Sequence, residues 1–370
     1  MVNIQIKQVT LYHVCVPLKQ TFSTHLQEVV ERDSILLEVM DVDGTIGVGE
    51  CVAFTSPWYT EETVDTAWNT LENWIIPALL NQSFSHPDQL DTALEKIKRN
   101  HMAKAAFNHA IWDIYAKKLN QPLWQVIGGT RPVINAGIVV AAATEKAMME
   151  EIETAVKTGY KRIKLKISQN TDPKLMKSII AQYPQMLFFA DANGAFTERT
   201  LDYLIAFDEC GFALIEQPFS EHHNRLSAEA QRIMKTPFAL DESIASLADA
   251  QDMIERKSGK IIVMKQGRVG GLTAALQIHN QCVIAEVPIW VGGMIEFGVS
   301  KAFNLAFASL PGVKFPGDFS SSTHFWEKDL ATPPIDVYDG KIELSNLPGV
   351  GVSWNHAILQ KFEVQTKLFK

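Results

Sequence analysis

Three acidic residues recur at fixed spacing, each at the end of a short apolar run: Phe188-Phe-Ala-Asp191-Ala-Asn193, Leu214-Ile-Glu216-Gln-Pro and Phe238-Ala-Leu-Asp241-Glu-Ser. Asp191 and Glu216 are 25 residues apart, and so are Glu216 and Asp241, about the length of one strand-plus-helix unit. Two lysine sites flank them. Lys166, in Ile163-Lys-Leu-Lys-Ile167, comes 25 residues before Asp191, and Lys265 comes 24 residues after Asp241. Alternation along a strand puts Lys164 and Lys166 on one face. Three carboxylates converging at one place repel each other, and a divalent cation resolves the repulsion. Ligands that are all oxygen favour Mg2+, with Mn2+ able to substitute, over zinc. A buried lysine beside another cation loses proton affinity and can serve as a base near neutral pH. Lys164 would act so on Lys166, and Arg268 on Lys265. The parts compose a reaction: a cation holds a substrate carboxylate, a lysine removes the proton on the adjacent carbon, and the metal and the opposite ammonium stabilise the enediolate. The competing reading makes each acid a helix cap and each lysine a snorkelling strand-end residue. It explains any one of these sites but not their common phase.

Those residues need a scaffold that brings successive strand ends together. After about residue 133, apolar runs alternate with helix-like segments, near 135–142, 162–167, 186–190, 212–216, 237–240, 260–264, 287–291 and 312–316. Eight such units predict an α/β fold, a closed (β/α) barrel of the TIM type, whose active site lies at the C-terminal mouth. A doubly wound sheet would also alternate, but no GxGxxG follows the first run. Before the barrel, Ile4–Val16 and Ser34–Val42 read as strands, with Asp43-Gly44 as a hairpin turn, and 61–120 reads as helical. The expected organisation is an α+β capping domain over 1–130, completed by the tail 330–370, and a catalytic barrel over 131–329.

The chain has 370 residues, 46% hydrophobic and 21% charged, which excludes a mainly disordered protein. Forty-two acids against 34 bases give a net charge of −8, which argues against nucleic acid or an anionic membrane as the main partner. The N-terminus lacks a signal-peptide core and no 18-residue apolar run occurs. Cys15, Cys51, Cys210 and Cys282 form no CxxC pair, so the expectation is reduced thiols in a cytoplasmic protein acting on a small carboxylate.

The motif set resembles the enolase superfamily in its muconate-lactonising subgroup: Lys164-x-Lys166, Asp191-Ala-Asn193, Glu216-Gln-Pro218, Asp241-Glu-Ser243 and Lys265-Gln-Gly-Arg-Val-Gly-Gly271. Gly292-Gly-Met-Ile-Glu296, Phe315-Pro-Gly-Asp-Phe-Ser320, and Gly49-Glu-Cys-Val-Ala53 with Trp58-Tyr59 are similar to the o-succinylbenzoate synthase / N-succinylamino acid racemase family. The resemblance implies Asp191, Glu216 and Asp241 as Mg2+ ligands, with Glu242 a rival for the third place. It implies Lys166 and Lys265 as acid/base groups on opposite faces of the substrate, and an oligomeric, homomeric assembly. Lys164, Asn193, Met294 and Ile295 are candidate substrate-binding residues, the last two through backbone amides. Phe22, Trp58 and Tyr59, on lid loops that include His25, would exclude water and set specificity. Ile138-Val139-Val140 should form an apolar wall. Asp318 keeps only the first acid of the Asp-x-Asp found in dipeptide epimerases of the superfamily, which weighs against that activity. The family implies two reactions: dehydration by a synthase, or racemisation of N-succinylamino acids. Arg268 beside Lys265 tilts the expectation towards an enzyme that does both. A non-catalytic binding barrel is the third reading, and the intact acids and lysines oppose it.

Overall fold

The computed structural model describes residues 2–23, 27–142 and 144–370, so the lid residue His25 lies outside the described residues. The chain opens with a long hairpin, Ile4–Ser23 against Glu28–Asp41, followed by Ile46–Cys51, all antiparallel. The Asp43-Gly44 turn links the last two, with Gly44 at φ +88°. The final strand, Glu363–Phe369, pairs antiparallel with the first through Val9–Val14. This sheet packs on the helix His101–Lys118, which is buried nearly all round, its polar Asn108, His109 and Asp113 included. A helix with no face to solvent must be covered on every side, and this one lies between the sheet and the barrel. Gly49 permits the close approach, because a Cβ there would lie 1.9 Å from the Ala106 carbonyl oxygen.

The barrel strands are Val133–Val140, Arg162–Lys166, Leu187–Asp191, Leu214–Glu216, Phe238–Leu240, Ile261–Met264, Ile289–Val291 and Gly317–Asp318. They are parallel neighbours in that order, with Gly317–Asp318 pairing back onto Val133–Val140. Phe189, Leu214, Ala239, Ile261, Val263 and Trp290 fill the interior as a cluster of their own.

The eighth strand falls later than the sequence pattern predicts. Over the predicted run 312–316, the backbone bonds to Ile289 through the Gly312 carbonyl and the Lys314 N–H, and pairing with the first strand begins only at Gly317. Pro316 stands between these two stretches and has no N–H to give a ladder. The last stave is therefore split, half bonded to each neighbour.

The tail is divided as well. Lys341–Glu343 runs antiparallel to the first barrel strand, after a tight turn at Asp339-Gly340 with both residues at positive φ. Trp354 donates its indole N–H to the Leu37 carbonyl of the N-terminal sheet. No helix among the described residues is long and apolar enough to cross a membrane.

The seam between the N-terminal elements and the barrel is built from buried polar groups. Glu50 accepts the backbone N–H groups of Phe297 and Ser300, and so caps the helix Gly298–Ala308. Arg32 donates to the carbonyls of Val52 and Ala53 and to that of Ile295 across the seam. His109 stacks on Phe303 with ring centroids 4.1 Å apart and lies 3.1 Å from Gln266 Oε1. Burial pushes the His109 imidazole down to about 4, opposed by the Gln266 contact. Below pH 6.5 the unfolded chain takes up a proton that folded His109 refuses until about pH 4, so its stabilising contribution is complete above 6.5 and lost as pH falls through that window. Urea unfolding of wild type and His109→Gln should therefore show the wild-type advantage narrowing by about 1–2 kcal/mol between pH 7 and pH 5. A pH-independent difference would contradict this account.

Candidate active site

The barrel register carries the chemistry-bearing residues to one rim. Lys166 pairs with Asp191, and Asp191 with Glu216. Glu216 faces Ala239, so Asp241, two residues further on, points to the same side as Ala239. Asp191, Glu216 and Asp241 are all buried. They face one space, and the chain's own cations stand among them. Lys164 Nζ donates to Asp318 Oδ2 at 2.9 Å and Glu216 Oε2 at 3.0 Å, and lies 3.3 Å from Asp191 Oδ2. Lys166 Nζ is 2.7 Å from Asp191 Oδ2 and also donates to Asn193 Oδ1. On the other flank, Lys265 Nζ sits 2.9 Å from Asp241 Oδ2, and Arg268 pairs with Asp241 Oδ1.

Burial raises carboxyl groups, and each acid's outcome depends on which cations oppose it. Against burial, Lys166 and Lys164 hold Asp191 below the usual range, and Arg268 with Lys265 holds Asp241 well below it. Glu216 is pushed well above its ordinary value by burial and by Asp191, with Lys164 opposing. Glu242 is pushed up to about 7 by burial and by Asp241. The expectation that Arg268 lowers the proton affinity of Lys265 is overturned. Burial does lower it, but Asp241, Tyr59 and Glu216 override both burial and Arg268, and Lys265 lies well above its usual value. Asp241 sits between the two cations and screens one from the other.

The residues fit a divalent cation. Glu216 Oε1 and Glu242 Oε2 are buried without a hydrogen-bond partner, and the donor set is all carboxylate oxygen, which suits a hard ion. Elsewhere, Cys15, Glu31 and Asp33 bring three ligand atoms within 4.8 Å of one another. Burial and Asp33 push that thiol up to about 12, which keeps it protonated, and Asp33 is already engaged by His13 at 2.8 Å.

A cavity of about 480 Å³ opens over this rim. Lys164, Lys166, Asp191, Asn193 and Lys265 form its floor, with Glu216 and Asp241 behind the lysines. Ile138, Val139 and Val140 make one wall, while Phe22, Trp58 and Tyr59 reach in from the N-terminal segment. Trp58 packs on Phe54 with centroids 4.6 Å apart, and Phe22 lies edge-on to Phe325. Tyr59 does more than line the wall: its hydroxyl is 3.0 Å from Lys265 Nζ and 2.9 Å from Arg268 Nη1. Asn193 donates to Glu242 Oε1. Met294 and Ile295 line the cavity. The Met294 N–H donates to Glu296 Oε2 within its own loop, and the Ile295 carbonyl accepts from Arg32. His222 and His223 are exposed, away from the rim.

Two participants escape sequence reasoning. Gln217, at φ +37°, accepts the N–H groups of Asp241 and Ser243 and donates to Ser243 Oγ, which fixes the fifth strand's end against the fourth. Arg162 pairs with Asp318 at 2.7 Å, and Asp318 in turn holds Lys164. The signal for Arg162 lies in the alternation that places it on the same face as Lys164 and Lys166. Gln217 has no signal beyond its place in the EQP triplet.

Residues 147–358 match the family model described as enolase C-terminal domain-like, and residues 6–128 match the N-terminal domain model of mandelate racemase / muconate lactonizing enzyme. The chain is 41% identical to the o-succinylbenzoate synthase of Bacillus subtilis (strain 168) over 99% of both proteins. It is 36% identical to the N-succinylamino acid racemase of Thermus thermophilus over 91% of each. A solved structure of an enolase superfamily member from Listeria innocua, 32% identical, superposes with a TM-score of 0.96 over 99% of both chains. With its barrel, its rim of acids and lysines, and these relatives along its whole length, the chain belongs to the enolase superfamily, on the branch that holds o-succinylbenzoate synthases and N-succinylamino acid racemases.

Proposed function

We propose that this chain is an o-succinylbenzoate synthase, a carbon–oxygen lyase of menaquinone biosynthesis. It dehydrates 2-succinyl-6-hydroxy-2,4-cyclohexadiene-1-carboxylate to 2-succinylbenzoate, and it also racemises N-succinylamino acids. The observation that carries the reading is the pair of ammonium groups on opposite flanks of the acids, Lys166 at Asp191 and Lys265 at Asp241. Three full-length relatives at 39–41% identity named o-succinylbenzoate synthase support the first activity, and two racemases at 34–36% support the second. In this reading residues 1–130 and 330–370 cap a catalytic barrel over 131–329, in a cytoplasmic homo-oligomer.

Asp191, Glu216 and Asp241 would hold Mg2+, which supplies Lewis-acid polarisation of the substrate carboxylate. Lys166 takes the proton from the carbon next to that carboxylate, then returns it to the departing hydroxyl on the same face, so water leaves. Lys265 keeps its proton during dehydration and hydrogen-bonds the developing negative charge from the other side. The proton affinity that Asp241 confers on Lys265 suits this role. In racemisation the two lysines exchange protons with the substrate from opposite faces. Arg268 and Tyr59 hold Lys265 in line, and Phe22, Trp58 and Tyr59 exclude water.

Two experiments test the reading. Both substrates are assayed with Mg2+, after chelation and after adding Mn2+, in wild type and Lys166→Ala. Chelation should abolish both activities and either ion should restore them. Lys166→Ala should lose about 100- to 10,000-fold in dehydration, and wild-type rates in that variant would sink the assignment. The second concerns Gly292, where a Cβ would lie 2.7 Å from Lys265 Cε and 2.9 Å from Val263 Cγ1. The flexible lysine end can yield, whereas buried Val263 must shift with its strand, so Gly292→Ala should fold with a lowered melting temperature while displacing Nζ. Turnover of the folded variant, measured well below its melting temperature, should fall about 100-fold. An unaltered kcat would show that the position of Lys265 does not matter.

A further inference from the structure

Gln217 bonds to all three of the strand ends that carry Asp191, Glu216 and Asp241. It follows Glu216 directly, is 1% exposed, and stands at φ +37°, a left-handed conformation that residues other than glycine adopt only at a cost. Its backbone N–H bonds the Ala239 carbonyl of the fifth barrel strand at 2.8 Å. Its carbonyl accepts the N–H of Gly194, three residues past Asp191, also at 2.8 Å. Its side chain turns to Asp241, which lies one residue beyond the strand Phe238–Leu240. The Asp241 N–H donates to Gln217 Oε1 at 2.9 Å, and the Ser243 N–H donates to the same oxygen at 3.3 Å. Gln217 Nε2 donates to the Phe219 carbonyl at 2.7 Å and to Ser243 Oγ at 2.8 Å.

A primary amide offers two acceptor sites and two N–H donors, and all four are used here. The two N–H groups facing Oε1 and the carbonyl facing Nε2 fix which end of the amide is which. A glutamate in this place would set a carboxylate oxygen against the Phe219 carbonyl. An alkyl side chain would leave the Asp241 and Ser243 N–H groups buried without partners. The side-chain bonds are additional to the barrel ladder, in which the fourth and fifth strands already pair at Ile215–Phe238 and Glu216–Ala239. They act just past the ladder, where the acids leave it and where three carboxylates facing one space push their segments apart.

From this we infer that Gln217 is a positioning residue for the divalent cation. It holds the segments of Asp191, Glu216 and Asp241 at their working separation before the ion arrives, so that little of the binding energy is spent on drawing them together. With its amide saturated, Gln217 has nothing left to offer the ion or the substrate and acts only through the ligands. The inference rests on the metal reading above and deepens it.

The test uses Mn2+ as the probe, without substrate. Its binding to wild type, Gln217→Gly and Ser243→Ala is followed by the electron paramagnetic resonance signal of the free ion, well below the melting temperatures, which are measured alongside. Glycine is at ease at positive φ, so Gln217→Gly deletes the amide without adding backbone strain. Its Kd for Mn2+ should rise about 10- to 100-fold. Ser243→Ala removes one anchor of the amide and should raise Kd about 2- to 10-fold. A lowered melting temperature with wild-type Kd in Gln217→Gly would mean that the residue only stabilises the fold, and overturns the inference. Should Gln217→Gly not fold, Ser243→Ala decides, and a wild-type Kd there overturns it. In either case wild type still binds the ion and the metal reading stands. Failure of wild type itself to bind Mn2+ overturns the metal reading, and the role of Gln217 with it.

Discussion

Carboxylates crowded at one end of a barrel must be compensated where they stand. Asp191, Glu216 and Asp241 are buried, and Asp318 and Glu242 lie close by. Isolated charges in such a setting cost far more than a folded chain can spare. The chain answers with Lys164, Lys166, Lys265, Arg268 and Arg162, each touching at least one of these acids. The compensation is not uniform. It leaves Asp191 and Asp241 ionised, and leaves Glu216 and Glu242 each with an unpartnered oxygen. That unevenness gives the rim its chemistry, since residual demand for a cation and a ready supply of ammonium groups occupy the same space.

The N-terminal elements take part in this arrangement directly. Tyr59 reaches into the cluster from a loop after the third strand and touches both cations beside Asp241. Arg32 and Glu50 clasp the backbone around Ile295–Ser300, which carries the cavity-lining loop after the seventh barrel strand. A movement of the N-terminal sheet would be felt at Lys265 and at the start of the helix Gly298–Ala308. The two regions of the cavity therefore share one mechanical frame.

Much of this was legible in the sequence because it rests on periodicity. The 25-residue rhythm of Lys166, Asp191, Glu216 and Asp241 is the barrel repeat itself, and two-residue alternation fixes which side chains share a face. What escaped depends on contacts between distant segments. Nothing local says that the Met294 amide turns towards Glu296, that Asp318 stands against Lys164, or that Asp241 lies between Lys265 and Arg268. The last case is instructive. Two cations three residues apart in sequence suggest mutual repulsion, yet an acid arriving from the neighbouring strand reverses its effect. The late start of the eighth strand escaped because an apolar run reads as strand even when a proline interrupts its ladder.

That interruption at Pro316 has a consequence of its own. Where the ring of staves returns to its beginning, part of the closure falls to a side chain: Arg162 bonds the Pro316 carbonyl, the Ile138 carbonyl and Asp318. Asp318 then holds Lys164 within the reactive cluster. The clasp that shuts the cylinder is thus the same pair of residues that steadies an ammonium in the pocket. Loss of either partner would slacken the hoop and free that ammonium in one stroke.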